Sequence, residues 1–389
     1  MAFAVAVVGL GAMGSMAALE LARRGHRVIG FDRFAPPHEL GSSHGKTRII
    51  REAYFEHPQY VPLVQRAYER WDDLGRWSGA SLLRPTGGLM IGRPDGELVG
   101  GARRSAIEHG LHYEELSAAE VRRRFPMFRL TQNEVGLFEP RAGVLFPEVA
   151  VSSALRLAAG AGADLHYGEP VQDWKADGNS GDALAVRTAA GTYPVDRVVL
   201  AAGAWMAGDL PGGAGKGSRI RLPLTVSRQA LFWFERGPEQ PGGTDLGPAR
   251  MPIFIWEWEQ GRMFYGFPDL GDGVKVAIHH EGEPADASRE RRPAELSEAG
   301  PLSAVLANRI PDLGPAREAA VCLYTNTPSG DFLIDRHPAE PRVILASPCS
   351  GHGFKFAPVI AEVIADLVEE KASRFDLNPF RLERLIGSD

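Results

Sequence analysis

Three glycines near the start of the chain, Gly9, Gly11 and Gly14, stand in the order G-x-G-x-x-G. This spacing suits a pyrophosphate. The first glycine allows a tight turn, the second lets the phosphates approach the main chain, and the third permits close packing of helix on strand. A helix that opens there offers free N–H groups and the positive end of its dipole. Asp32 ends the next apolar run, where a carboxylate accepts hydrogen bonds from an adenosine ribose. Strand, glycine turn, helix and acidic residue together specify a dinucleotide site. They do not choose between FAD and NAD.

Other candidates are scattered. The segment Gly41-Ser42-Ser43-His44-Gly45-Lys46-Thr47-Arg48-Ile49-Ile50-Arg51 is dense in polar donors. Glycine and serine around His44 suit close main-chain approach to a ligand, and Arg48 and Arg51 could share one pocket wall. A solvated basic loop is the competing reading. Strand alternation puts Lys275, Ala277 and His279 on one face, which is either a cavity wall or a surface strand. Cys322, in Cys322-Leu323-Tyr324-Thr325, reads on pattern alone as a small buried hydrophobe. Ser350-Gly351-His352-Gly353-Phe354-Lys355 is a glycine-rich turn opening a final helix. Its N–H groups could stabilise negative charge, or it is an ordinary helix start with solvated His352 and Lys355.

The elements that must position these residues fall into two kinds. Ala4 to Val8 reads as a buried parallel strand, Met13 to Arg24 as a helix, and Val28 to Asp32 as a second strand. Pro58 to Trp77, Val149 to Ala159 and Pro358 to Lys371 have helical spacing. Leu89 to Ile91, Asp164 to Tyr167, Asp196 to Leu200 and Val343 to Ala346 read as strands. Leu224 to Ala277 is mostly β-periodic and is expected to form an antiparallel sheet with one face over a ligand. Glu281 to Glu298 is expected to be surface loop plus helix. The expected fold is therefore α/β: a Rossmann-like nucleotide domain built from discontinuous segments (1–85, 145–215 and 325–389), with an inserted, mainly antiparallel substrate domain (86–144 and 216–324).

Composition narrows the class. The chain has 389 residues, 44% hydrophobic and 24% charged, with a net charge of −6. A folded protein of two domains is expected, with no global attraction to nucleic acid or anionic membrane. No apolar run is long enough to span a bilayer. Two cysteines, Cys322 and Cys349, are too few for a disulfide framework, and a cytoplasmic location is expected. No metal site is read.

Taken together, these motifs resemble the family of monomeric sarcosine oxidase and N-methyltryptophan oxidase, flavoproteins of the D-amino-acid-oxidase superfamily. The resemblance is carried by Gly9-Leu10-Gly11-Ala12-Met13-Gly14, by Ser43-His44-Gly45 with Thr47-Arg48-Ile49-Ile50-Arg51, by Tyr265-Gly266-Phe267-Pro268, by Cys322-Leu323-Tyr324-Thr325 and by Gly351-His352-Gly353-Phe354-Lys355. Their order runs through nearly the whole chain. Trp256-Glu257-Trp258 and Pro358 have no clear counterpart, and Gly271-Asp272-Gly273 is one residue tighter than the pattern.

The resemblance implies FAD, with contacts from Gly9, Gly11, Ala12, Met13, Gly14, Asp32, Arg33, Ser43, Thr47, Gly203, Gly351, Gly353 and Phe354, and with Val171 against the adenine. It implies a thioether from Cys322 to the flavin 8α-methyl, reversing the bland reading of that cysteine. His44 and Arg48 would lie against the flavin ring, and Arg51 and Lys355 would hold a substrate carboxylate. Lys275 would assist the reaction with oxygen, while Tyr265, His279 and Tyr324 would line the substrate cavity. The implied reaction is oxidation of the C–N bond of a small secondary amino acid, sarcosine or another N-methyl amino acid. It yields an imine that hydrolyses, and O2 is reduced to H2O2. The partners are that substrate and O2, and a monomer is expected. The alternatives are a cyclic imino-acid (proline or pipecolate) oxidase, an amino-acid dehydrogenase using another acceptor, and a non-enzymatic nucleotide sensor.

Overall fold

The computed structural model describes residues 2–176, 183–209, 220–237, 244–289 and 291–386. Within the strand Ala4–Val8, Val5, Ala6 and Val7 are wholly buried, as befits an apolar run covered on both faces. It lies inside a six-stranded sheet, between parallel partners Arg27–Asp32 and Arg197–Leu200. Asp164–Tyr167 and Glu340–Ser347 extend the parallel array on either side, and Leu333–His337 closes one edge antiparallel. These strands come from the beginning, middle and end of the chain, so the nucleotide fold is indeed assembled from separated segments.

Four helices share a core on one side of this sheet: Ala12–Arg23, Val61–Ser78, Pro147–Gly160 and Ala357–Val368. The first is rich in alanine, which lets two other helices approach it closely. A small antiparallel sheet of Asp173–Ala176, Leu184–Arg187 and Thr192–Val195 covers the other side through Trp174, Leu184 and Val186.

The second layer is a nine-stranded sheet. Its centre is the meander Ile253–Glu259, Arg262–Phe267 and Val274–His279, followed by the long strand Thr225–Arg236. Leu313–Asn326 pairs along Thr225–Arg236 and carries Cys322 and Tyr324. The expected antiparallel region is thus present and larger than its sequence signal. Gly88–Gly92, Val135–Glu139 and Glu114–Ser117 extend it, and the contact of Ile253–Glu259 with Gly88–Gly92 is parallel. Leu313–Asn326 escaped the sequence reading because Gly314, Pro315 and a run of alanines blur its alternation. Glu97–Glu108, also unread, is a helix that covers Met90, Leu137 and Ile255 with Leu98, Val99 and Ala102.

Alternation divides this sheet cleanly. Phe232, Phe234, Phe254, Phe264 and Val276 point into a core shared with Phe128, Leu302 and Leu306. Leu231, Trp233, Ala277, Cys322 and Tyr324 point the other way, towards the nucleotide domain. A separate antiparallel ribbon of three strands has Gly143–Leu145 in the middle, flanked by Arg48–Ile50 and Leu83–Pro85. Of the expected segment limits, 215/216 falls outside the described residues.

Candidate active site

One cavity of about 410 Å³ runs from the glycine turn to the face of the large sheet, with Gly9 and Lys355 both in its wall. At the nucleotide end, Gly9 has φ +89°, and a Cβ there would lie 2.6 Å from the Ala201 carbonyl oxygen. A Cβ on Gly14 would lie 1.7 Å from the Gly9 carbonyl oxygen, so the third glycine serves helix-on-strand packing and does not reach the cavity. Gly11 does reach it; an added Cβ would meet only Ser43 Oγ, at 3.3 Å. Ser43 Oγ also accepts the Ala12 N–H at 3.0 Å, at the start of the helix. Asp32 accepts the N–H groups of Leu10 (2.8 Å) and Phe34 (2.9 Å), which fixes its carboxylate in the cavity wall. Ala12, Met13, Arg33, Val171 and Gly203 line the same end. So does Trp205, whose indole N–H has no partner among the described residues. A bare main-chain cradle, a helix start and an anchored acid fit the diphosphate and ribose of FAD.

At the sheet end, Tyr265, Phe267, His279, Cys322 and Tyr324 form one wall. The register explains this: Tyr265 lies opposite Ala277, and Phe267 opposite Lys275. Cys322 is buried, and its Sγ sits 3.5 Å from Arg48 Nη2. Arg48 is held by the carbonyl oxygens of Ser42 (2.6 Å) and Thr47 (2.7 Å). Tyr324 Oη lies 3.4 Å from both Tyr265 Oη and His279 Nδ1. Burial pushes the His279 pKa well down, with His280, His352 and Lys355 acting in the same direction, so the ring is neutral.

Three expected site residues stand behind the wall. Lys275 is 2% exposed, and its Nζ donates to Gly45 O (2.6 Å), Thr47 Oγ1 (3.1 Å) and Thr47 O (3.2 Å). Burial, aided by Arg48, lowers its pKa well below the usual lysine value. Thr47 is one of these acceptors and is itself buried. His44 is pushed down to about 3 by burial, then by Arg48 and Lys275, and its Nε2 has no partner among the described residues. Lys275, Thr47 and His44 therefore form a layer beneath the cavity surface.

The far end holds two cations. Arg51, 2% exposed, donates to Glu56 Oε2 at 2.6 Å and to the Ala53 carbonyl at 2.9 Å, and stacks over Tyr54 at 4.2 Å. Lys355 Nζ donates to the His352 carbonyl (2.7 Å) and to Tyr54 Oη (3.3 Å). His352 Nε2 faces the Gly330 carbonyl at 3.1 Å, which assigns the ring proton to Nε2. Nδ1 then accepts from the Tyr54 hydroxyl at 2.6 Å, leaving that oxygen's lone pairs for Lys355. Burial above all lowers His352 to about 4; burial and then Arg51 bring Lys355 down to about 7, with Glu56 opposing. Burial alone would raise the Glu56 carboxyl, but Arg51, His352 and Lys355 hold it below its usual value. Gly351, Gly353 and Phe354 complete this wall just ahead of the helix Ala357–Val368.

The cavity thus brings together most of the residues expected from sequence. Sequence reasoning missed Tyr54 and Glu56 and gave His352 no role. The signal was local: both missed residues follow Arg51 in Arg51-Glu52-Ala53-Tyr54-Phe55-Glu56, but no periodicity marks them.

Fold and cavity define a flavin-dependent oxidoreductase, and comparison with known proteins agrees. The model of the FAD dependent oxidoreductase family matches residues 4–367, and the chain belongs to that family. It is 40% identical to monomeric sarcosine oxidase of Streptomyces avermitilis, covering 99% of this chain and 98% of the relative. It is 34% identical to N-methyl-L-tryptophan oxidase of Salmonella heidelberg, covering 99% of each. Among solved structures, NikD, an unusual amino acid oxidase essential for nikkomycin biosynthesis, superposes with a TM-score of 0.81 at 24% identity, covering 98% of each chain. Glycine oxidase from Geobacillus kaustophilus gives 0.78 at 22%, covering 99% of each. These two establish the shared fold.

Proposed function

We propose that this enzyme oxidises the C–N bond of a small secondary α-amino acid, sarcosine or another N-methyl amino acid. The products are an imine, which hydrolyses to aldehyde and primary amino acid, and hydrogen peroxide from O2. The observation that carries this reading is the pair of buried cations, Arg51 and Lys355, at the opposite end of one cavity from the glycine cradle. A substrate carboxylate is the natural partner of a guanidinium fork and an ammonium in a dry site. The named substrates of the Streptomyces and Salmonella relatives support it.

FAD bound along the cavity supplies the two-electron acceptor. Gly9, Gly11, Ser43 and the first helix would hold its diphosphate, Asp32 its ribose, and Arg33, Val171 and Gly203 its adenosine. Arg48, Gly351, Gly353 and Phe354 would face the ring, and Cys322 Sγ would form the thioether. The chain's own residues then set the chemistry. Arg51 and Lys355 orient the substrate by its carboxylate. Tyr265, Tyr324 and neutral His279 exclude water and leave the amine without a competing cation beside it. Lys275 and His44 act from the second layer, Lys275 through its positive charge on the step with O2. The two cysteines are unpaired, which suits a cytoplasmic setting, and the monomeric state named for the Streptomyces relative supports the same state here.

The test is a panel of N-methyl and cyclic amino acids scored for peroxide. Peroxide with N-methyl amino acids is expected. Turnover of proline or pipecolate alone would replace the substrate class, and dye reduction without peroxide under air would make the protein a dehydrogenase.

A further inference from the structure

Glu139 ends the strand Val135–Glu139 and is 1% exposed. Its Oε1 accepts the Glu52 N–H at 2.6 Å and its Oε2 the Ala53 N–H at 2.8 Å. No cation lies within 4.0 Å of it among the described residues. A carboxylate buried without its own ion pair is expensive, yet this one spends both oxygens on consecutive peptide groups immediately after Arg51. The Ala53 carbonyl in turn accepts Arg51 Nη1 at 2.9 Å. Glu139 and Arg51 therefore both bind the main chain of Ala53, one at its N–H and the other at its carbonyl. Arg141, two residues beyond Glu139, binds the Glu52 carboxylate at 2.7 Å. The turn after this strand thus grips residues 52 and 53 at both main chain and side chain.

We propose that Glu139 is a positioning residue of the carboxylate site: by clamping the main chain of Glu52 and Ala53 it keeps the Arg51 guanidinium turned to the cavity. The proposal rests on the assignment of Arg51 to the substrate carboxylate. It also implies a pH dependence. Ionised Glu139 offers an acceptor to each N–H, whereas the protonated acid turns an O–H towards one of them and loosens the clamp. Burial raises this carboxyl to about 7, Glu52 adding to the rise and the two N–H groups and Arg51 opposing it. Besides Arg51 and Glu52, Tyr68 from the helix Val61–Ser78 faces it, and the Arg141 guanidinium is engaged on the Glu52 carboxylate. The clamp is therefore closed above about pH 7 and loosens below it.

The test uses the FAD-loaded enzyme, with acetate as probe and the visible flavin spectrum as readout. Arg51→Met calibrates the site and should weaken acetate binding at least about tenfold. Glu139→Gln, which strands one buried N–H, should weaken acetate and raise KM by roughly tenfold, with kcat within about threefold of the unmodified enzyme. Glu139→Asp, which keeps the charge, should recover part of the affinity. Should Glu139→Gln not fold, a Lys355→Met enzyme with Glu139 intact decides the matter. Its acetate affinity should fall about fivefold as pH is lowered from about 8.5 to about 6. If Arg51→Met leaves acetate binding unchanged, the carboxylate assignment fails and this inference falls with it. If Arg51→Met behaves as expected but Glu139→Gln binds acetate normally, or the pH profile is flat, only the role of Glu139 is overturned.

Discussion

Arg51 meets Glu56 across 2.6 Å at the end of the cavity, with the guanidinium almost wholly buried. The acid occupies one face of the group assigned to the substrate carboxylate, so the two carboxylates must share or exchange that face. In Glu56→Gln the competing charge is gone but a buried cation is left unpaired. Loss of Glu56 also lowers the Lys355 pKa further, so the comparison belongs at about pH 5.5, where this variant should bind acetate several-fold more tightly. Its thermal midpoint should be lower without acetate and rise further with it than in the unmodified enzyme. An unchanged acetate response, read by differential scanning calorimetry, would show that Glu56 does not compete for Arg51.

Lys355 makes carboxylate binding depend on pH in the opposite sense to Glu139. Burial lowers its pKa to about 7, so the ammonium is present below that value and lost above it. Acetate affinity of a Glu139→Gln enzyme, freed of that opposing titration, should therefore decline as pH rises through about 7, and adding Lys355→Met should abolish the decline. Tyr54→Phe removes one acceptor from Nζ and the donor to His352. It should shift the decline to lower pH while leaving the flavin content unchanged.

Cys322 places its sulfur in the cavity wall beside Arg48. The unmodified protein should stay yellow after acid precipitation, whereas Cys322→Ser should release FAD into the supernatant. A colourless pellet from the unmodified protein would dispose of the thioether.

Lys275 donates all three of its N–H bonds behind the wall and touches no substrate surface. Lys275→Met should slow the half-reaction with O2 by about a hundredfold or more and the half-reaction with substrate far less. Stopped-flow measurement of the two halves separates them; equal slowing would contradict an oxygen-specific role.

The glycines of the nucleotide turn differ in what they tolerate. Gly14→Ala places a methyl 1.7 Å from the Gly9 carbonyl oxygen and should prevent folding. Gly11→Ala meets a movable hydroxyl at 3.3 Å. It should fold with normal secondary structure by circular dichroism and retain less FAD.

How much of this was legible in the chain depends on how local each cause is. Strand, turn, helix and Asp32 lie within one short unit, so spacing alone specified a dinucleotide cradle. Alternation likewise put Lys275, Ala277 and His279 on one face, and that face does look towards the nucleotide domain. Spacing could not say that Lys275 stops short of the cavity, because its depth is set by Gly45 and Thr47 on a distant segment. Nor could it pair Tyr54 with His352, 298 residues away, or Ala53 with Glu139, 86 residues away. Periodicity reports which side of an element is apolar; it carries no information about which polar group another element will bring to meet it. The sequence by itself determined the cofactor cradle and the sheet that faces it. The tertiary structure alone decided how the carboxylate-binding cations are held, because hydrogen bonds between segments far apart in the chain exist only once the two sheets are folded together.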